Sequence, residues 1–204
     1  MTIFEELPAL SPVQFFALSW ECPYLKGDLS LIAEHRIPST SELLGEEEFA
    51  DLYMGWNEQK IAMEIHSHRR TDNDSVEIFF DTRDLKTKAH ISKYCHHFIL
   101  TPDEKEGFFG REITRFRNED IHRLCDPSEL IVDVESDESS YVLRIQIPAV
   151  CLYGYDPFQF QRLGFTYRLN RANAPAQHFA VSSEEFNVEQ QPSLWATLKL
   201  TGHP

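Results

Sequence analysis

One stretch, residues 71–83, constrains the fold of this chain more than any other. It is a turn sequence, Thr-Asp-Asn-Asp-Ser, that runs into Val-Glu-Ile-Phe-Phe-Asp-Thr-Arg. Successive side chains of a β-strand point to opposite faces, so the stretch predicts a strand with two different sides. The apolar side is Val76, Ile78 and Phe80, and the wet side is Glu77, Phe79 and Asp81. Such a strand suits a sheet that buries one face and uses the other for binding.

Short segments of the same kind recur along the chain, and no long helical periodicity interrupts them. Strands are predicted over residues 15–21, 28–36, 50–56, 60–68, 74–81, 94–100, 108–116, 130–134, 141–148, 164–171 and 194–200. A helical turn or a loop is predicted at 40–48, with Ser41 as its cap, and a short helix or a loop at 149–155. This pattern predicts an all-β fold, a single antiparallel β-sandwich of about ten strands with few short helices.

Length and charge limit the classes of function. At 204 residues the chain fits one domain of the larger all-β kind. The formal net charge of -14 repels a phosphate backbone, so nucleic acid is not an expected partner. No apolar run reaches the roughly 18 residues of a membrane-spanning helix, so no membrane partner is expected. Residues 1–8 lack the basic and apolar regions of a signal peptide, which predicts a cytoplasmic protein unless a leader has been removed.

Four cysteines are widely spaced along the chain: Cys22, Cys95, Cys125 and Cys151. They form no C-x-x-C pair, which excludes the common metal knuckles and redox motifs. We therefore predict buried thiols, the usual state of unpaired cysteine in a folded core.

Four separated segments match, in order and spacing, one known pattern. They are L-Y-M-G-W-N at 52–57 running into K-I-A-M at 60–63, D-S-V-E-I-F-F-D at 74–81, Y-V-L-R-I-Q-I-P at 141–148, and L-G-F at 163–165 through Asn170 with the closing Trp195. On these residues the chain resembles the family 9 carbohydrate-binding modules and their relatives among the DOMON-like β-sandwiches. The resemblance covers residues 50–200. We predict that residues 1–204 form one domain. Residues 1–49 are divergent and lack the family's usual Ile-Asp-Gly opening.

The resemblance implies a site for a sugar end, held between two tryptophans while polar groups of the sheet bind its hydroxyls. It carries Glu77 and Asn170 onto such polar positions, but Thr71 and a serine near 182–183 stand where the tryptophans would be. The family places an arginine on strand 94–100, whereas this chain has His96, His97 and Phe98 in that region. The ligand-binding candidates are Glu77, Asn170, His97 and Arg144.

Metal and haem sites are further candidates. Clustered aspartates are typical of Ca²⁺ ligands, and Asp72, Asp74 and Asp81 could supply them, although turn capping competes with that interpretation. A zinc site needs three or four converging ligands, for which the nominees are His66, His68, His96 and His97. A haem held by Met and His, as in some DOMON-like proteins, would draw on Met54, Met63, His66 or His97.

The sequence predicts no enzyme, because it holds no nucleophile elbow, P-loop, dinucleotide fingerprint or H-E-x-x-H motif. The leading hypothesis is a non-catalytic carbohydrate-binding-like module for a carbohydrate or another small polar ligand, with the aromatic clamp missing. The alternative is a cytoplasmic protein-interaction or structural sandwich that has lost sugar binding. A glycan-processing enzyme and a haem-binding domain rank below these two.

Overall fold

The computed structural model describes residues 18–27, 31, 33–87, 90–117 and 119–202. Eleven strands lie within these residues: β1 Ser19–Pro23, β2 Ala50–Trp56, β3 Lys60–Ser67, β4 Ser75–Asp81, β5 Cys95–Lys105, β6 Phe108–Glu112, β7 Ile131–Ser136, β8 Tyr141–Pro148, β9 Arg162–Arg171, β10 Ala174–His178 and β11 Ala196–Thr201. One α-helix, α1, spans Ser41–Leu44. Short 3-10 turns occur at Ala33–His35, Pro127–Glu129, Ala149–Cys151, Val188–Gln190 and Pro192–Leu194.

The strands form two sheets. One has seven strands in the order β1-β11-β9-β4-β5-β6, with β10 paired to the second half of β9. The other has four strands in the order β2-β3-β8-β7. The β1–β11 pair is parallel, and the other strand pairs of the described residues are antiparallel. β4 is central in the larger sheet, because β9 and β5 both pair with it.

A single apolar cluster fills the space between the sheets. The larger sheet contributes Val76, Ile78 and Phe80 of β4, and the smaller sheet contributes alternate residues such as Ile61 and Ile145. All of these are almost fully buried. Alternation in the sequence therefore identifies the core-facing side of β4 correctly, and the predicted all-β sandwich is confirmed.

The opposite face of β4 is not wet as predicted. Phe79 lies at 0% exposure within a second, smaller cluster that also holds Ile91, Val188 and Trp195. The connection between β10 and β11, residues 179–195, folds across this face and brings Val188 and Trp195 onto it. Alternation cannot reveal this cover, because the covering segment lies about a hundred residues further along the chain.

Several local predictions differ from the structure. The described part of the predicted strand 28–36 contains the 3-10 turn Ala33–His35 and a single β-bridge from Arg36 to Tyr53. Residues 28–30 and 32, like residues 15–17 of the first predicted strand, lie outside the described residues. Thr40, not Ser41, precedes α1, and Thr40 makes no capping hydrogen bond there. β10 was not predicted, since its A-P-A-Q-H sequence has little strand propensity.

The cysteine prediction holds for two residues and fails for two. Cys22 and Cys95 are buried thiols. Cys125 and Cys151, by contrast, form a disulfide with their Cα atoms 4.8 Å apart. The 26-residue separation of this pair hides it from motif reading, and only the packing of the turn at Ala149–Cys151 against the connection after β6 brings the two sulfurs together.

In the part of the chain that the structure describes, no helix is both long and apolar enough to cross a membrane.

Candidate functional site

A polar cluster lies on the outer face of the larger sheet, where β4 runs between β9 and β5. Glu77 is paired in register with Arg168 of β9 and is next to His97 of β5. Arg168 Nη2 donates to both carboxylate oxygens of Glu77 at 2.7 Å, and His97 Nε2 donates to Oε2 at 2.7 Å. Asn170 Nδ2 donates to Oε1 at 2.7 Å. The two neighbours of β4, β9 and β5, thus direct their donors at one carboxylate.

The charge balance of this cluster is set by burial and by these hydrogen bonds. Burial by itself raises the pKa of Glu77, but the hydrogen bonds from His97 and Arg168 outweigh it and hold that pKa at about 2. Burial opposes the charge of Arg168, yet the contacts with Glu77 and Glu189 raise the pKa of its guanidinium. Glu77 is therefore ionised at neutral pH and forms an ion pair with the guanidinium of Arg168.

The covering connection closes most of the cluster and leaves one side open. His97 stacks on Phe79 at a ring-centroid distance of 4.2 Å, beneath Trp195. Arg168 keeps 17% of its side chain exposed and donates from Nη2 to Glu189 at 2.7 Å. Arg168 opens onto a shallow depression of about 370 Å³, which is lined by Arg168 and by residues 183–189.

The structure brings together three of the four ligand-binding candidates. Glu77, Asn170 and His97 are in the cluster, although Glu77 and His97 are only 6% and 8% exposed. Asn170 is half-buried at the edge. Arg144 lies apart, on β8 of the smaller sheet, where it pairs with Asp133 and Glu135 at the surface.

Ser183 and Thr71, which stand near the positions where the family has its two tryptophans, lie in different parts of the structure. Ser183 lines the depression beside Arg168, and its hydroxyl contacts His178 Nε2 at 2.7 Å. Thr71 lies in the turn before β4, where its backbone N–H donates to Asp74 and its hydroxyl accepts from the N–H of Ala172.

The aspartates proposed for Ca²⁺ do not converge. Asp74 and Asp81 lie at opposite ends of β4, about 23 Å apart by strand rise. Asp74 accepts from Thr71, and Asp81 accepts from the backbone N–H groups of Arg83 and Leu85 at 2.9 and 2.7 Å. Both act as turn caps. Asp72 is exposed in the turn before β4.

The histidines and methionines proposed for zinc or haem are distributed over several surfaces. Met54 and Met63 pair directly and face the core, while His66 lies on the other face of β3 and contacts Glu64. His68 contacts Asp51. His96 and His97 point to opposite faces of β5, and of these two only His96 belongs to a group of side chains that could share a metal ion.

That group consists of His96 of β5, Glu112 of β6 and His122 of the following connection. Glu112 Oε1 lies 2.9 Å from His96 Nδ1 and 2.8 Å from His122 Nε2. Burial by itself raises the pKa of Glu112, but the contacts with His122 and His96 outweigh it and hold that pKa at about 2. Burial lowers the pKa of His96. Among the described residues, these three are the His, Cys, Asp and Glu side chains placed to share one metal ion.

Sequence reasoning missed Arg168, Glu189, Glu112 and His122. Arg168 could have been found, because it is two residues before Asn170 and so shares its strand face. Glu189 and His122 lie in irregular connections, where periodicity gives no signal.

Comparison with known proteins identifies the fold. Two solved structures of a family 9 carbohydrate-binding module from Caldicellulosiruptor kristjanssonii, one in complex with glucose and one with cellotriose, are similar to this chain, each with a TM-score of 0.62. The glucose complex is 15% identical and the match covers 91% of this chain and 97% of that one; the cellotriose complex is 16% identical, with 91% and 95% covered. No protein-family model and no curated protein matches the sequence. The chain has a family 9 carbohydrate-binding module fold.

Proposed function

We propose that this chain is a non-catalytic binding module that takes a carbohydrate, or another small polar ligand, at the depression beside Arg168. The observation that carries the proposal is Arg168, which is held by Glu77 next to Asn170 and reaches the open depression lined by residues 183–189. Charged and amide groups held rigidly by strands suit the hydrogen bonding of hydroxyls. The structures of similar fold, which contain glucose and cellotriose, support the ligand class.

The site differs from an aromatic sugar clamp in what it can contribute to affinity. Ser183 and neighbouring polar residues line the depression, and Phe186 is its one aromatic residue. A sugar ring therefore cannot stack between two large aromatic side chains at this site. Hydrogen bonds to Arg168, Asn187 and Glu189 must supply most of the binding free energy. We expect weak affinity, with dissociation constants in the millimolar range.

Calorimetric and NMR titrations with glucose, cellotriose and glycerol test the proposal. We expect saturable binding of at least one sugar and none of glycerol. Asn187→Ala should remove one of the expected hydrogen bonds to the ligand and weaken binding, whereas Arg144→Ala, on the other sheet, should leave it unchanged. Absence of any saturable response at tens of millimolar sugar in the folded protein would sink the carbohydrate assignment.

A second candidate, a protein-interaction module, has a separate observation in its favour. A depression of about 280 Å³ beside the disulfide is lined by Leu124, Val150 and Tyr153, and Val150 is 79% exposed. A partner that buries apolar side chains there would be displaced by Val150→Asp. That variant leaves the sugar titration intact, so the two candidates are separable.

The predicted cytoplasmic location and the single domain over 1–204 stay predictions. The disulfide bears on the location, because disulfides persist mainly in oxidising compartments. The mass of the unreduced protein from its natural source tests this location, and limited proteolysis tests the domain boundaries.

A further inference from the structure

We propose that His96, Glu112 and His122 form a zinc-binding site inside the sandwich, separate from the proposed ligand surface. The three residues come from β5, β6 and the connection after β6. Their ligand atoms lie within 4.8 Å of one another, and their side chains are 0%, 0% and 1% exposed. Two imidazoles and a carboxylate are the donor set of many three-ligand zinc sites.

The hydrogen bonds of His122 define the direction of its lone pair. His122 Nδ1 lies 2.7 Å from the carbonyl oxygen of Lys93, which can only accept, so this nitrogen carries a proton. In a neutral ring, Nε2 then presents a lone pair to Glu112 Oε1 at 2.8 Å, another acceptor. A metal ion can bind both acceptors at once. A metal-bound histidine usually donates its other ring N–H to a carbonyl or carboxylate oxygen, as His122 does here.

His96 repeats this arrangement from the other side. Its Nδ1 faces Glu112 Oε1 at 2.9 Å, and its Nε2 lies 3.5 Å from the carbonyl oxygen of Tyr153. The two imidazole rings lie with their centroids 4.3 Å apart, so their inner nitrogens approach the same carboxylate oxygen from neighbouring positions. One divalent cation between the two nitrogens and the carboxylate would use all three ligand atoms.

The remaining contacts of Glu112 hold it in place for this role. Thr114 Oγ1 donates to Oε1 at 2.6 Å, and the backbone N–H of Cys125 donates to Oε2 at 2.7 Å. Ligands about 2.1 Å from a tetrahedral zinc lie about 3.4 Å apart, so the two nitrogen–oxygen separations to Glu112 must open by roughly half an ångström on binding. Small side-chain rotations suffice for such a shift.

The surface nearest to the cluster is on the disulfide side. The Tyr153 ring lies parallel to the His122 ring at a centroid distance of 5.9 Å, and it lines the depression beside Cys125 and Cys151. The cluster therefore packs against one lining residue of that depression, Tyr153. A bound zinc ion would tie the irregular connection that follows β6 to the edge of the larger sheet.

The test uses the full chain, stripped with a chelator and titrated with Zn²⁺ and with Co²⁺. We expect one equivalent of Zn²⁺ per chain, a Co²⁺ absorption spectrum typical of a four-coordinate nitrogen and oxygen site, and a higher melting temperature with metal. His122→Gln should weaken Zn²⁺ binding at least about 100-fold, since loss of a supporting residue already costs 10- to 100-fold. His66→Gln, at a surface histidine beside Glu64, is the matched control and should bind like the unchanged chain.

Circular dichroism of each variant shows whether it folds. If His122→Gln does not fold, X-ray absorption of the Zn²⁺-loaded natural chain replaces it and should show two imidazole ligands. The proposal is overturned if the natural chain retains no more Zn²⁺ than the His122→Gln variant, or if the X-ray absorption spectrum shows no imidazole ligand. The three residues would then form a buried ion pair only. Sugar binding is measured in parallel, so failure of one assignment does not affect the other.

Discussion

Arg168 Nη2 lies 2.7 Å from both carboxylate oxygens of Glu77, across the register pair that joins β9 to β4. The two residues are 91 positions apart in the sequence. This ion pair is largely enclosed, so its partners depend on each other: removal of either leaves a charge away from water.

Arg168→Leu should therefore destabilise the protein by about 3 kcal/mol, because Glu77 keeps its charge without its strongest donor. Urea unfolding measures the loss. Arg144→Leu is the control, since Arg144 forms a comparable but solvent-exposed pair with Glu135 and should cost less than about 1 kcal/mol. Equal losses for the two variants would show that the Glu77 pair gains nothing from its burial.

Glu77 should make stability depend on pH under acidic conditions. Its pKa falls from 4.5 to about 2 on folding, so its contribution is fully present above pH 4.5 and is lost as the pH falls towards 2. The shift corresponds to about 3 kcal/mol. Melting temperatures of Glu77→Gln between pH 5 and pH 2 should fall less steeply than those of the natural chain. Part of the slope will remain, because Glu112 titrates in the same range. Parallel curves for the two proteins would contradict the assignment.

Trp195 should be essential for the cover over the outer face of β4. It is fully buried against Phe79, and its Nε1 donates to the carbonyl of Val188 at 2.9 Å. Trp195→Ala should cost about 3–5 kcal/mol by the cavity it leaves. In this variant, hydrogen exchange of the backbone amides should speed up more in residues 179–195 than in β8, relative to the natural chain. Phe158→Ala, at a largely exposed ring, is the control and should change stability by no more than about 0.5 kcal/mol.

The Cys125–Cys151 disulfide should stabilise the chain by about 3.5 kcal/mol, the value expected from closing a loop of this length in the unfolded state. The double variant Cys125→Ser with Cys151→Ser should lose that amount in denaturant unfolding. A reducing agent should lower the stability of the natural chain to the same level and leave the double variant unaffected. A natural chain insensitive to the reductant would argue that the bond contributes little.

How far the sequence predicts the structure depends on how local each feature is. Alternation located β2, β3, β4 and β8 closely, because the two faces of a strand are written in its own residues. Alternation failed at Ala33–His35 and β10, whose conformation depends on the strands they pack against. Glu77 and Asn170 could be nominated through the family pattern, and Arg168 was within reach as a neighbour on the same face.

The sequence by itself determined the all-β class and the core-facing side of β4. Only the tertiary structure decided that residues 179–195 cover its other face, that Arg168 holds Glu77, and that His122 meets His96 and Glu112. Local alternation reports the burial of a strand on one side. Contacts between residues far apart in the chain follow from strand order and register and from the folding of irregular connections, and none of these is encoded in a local period.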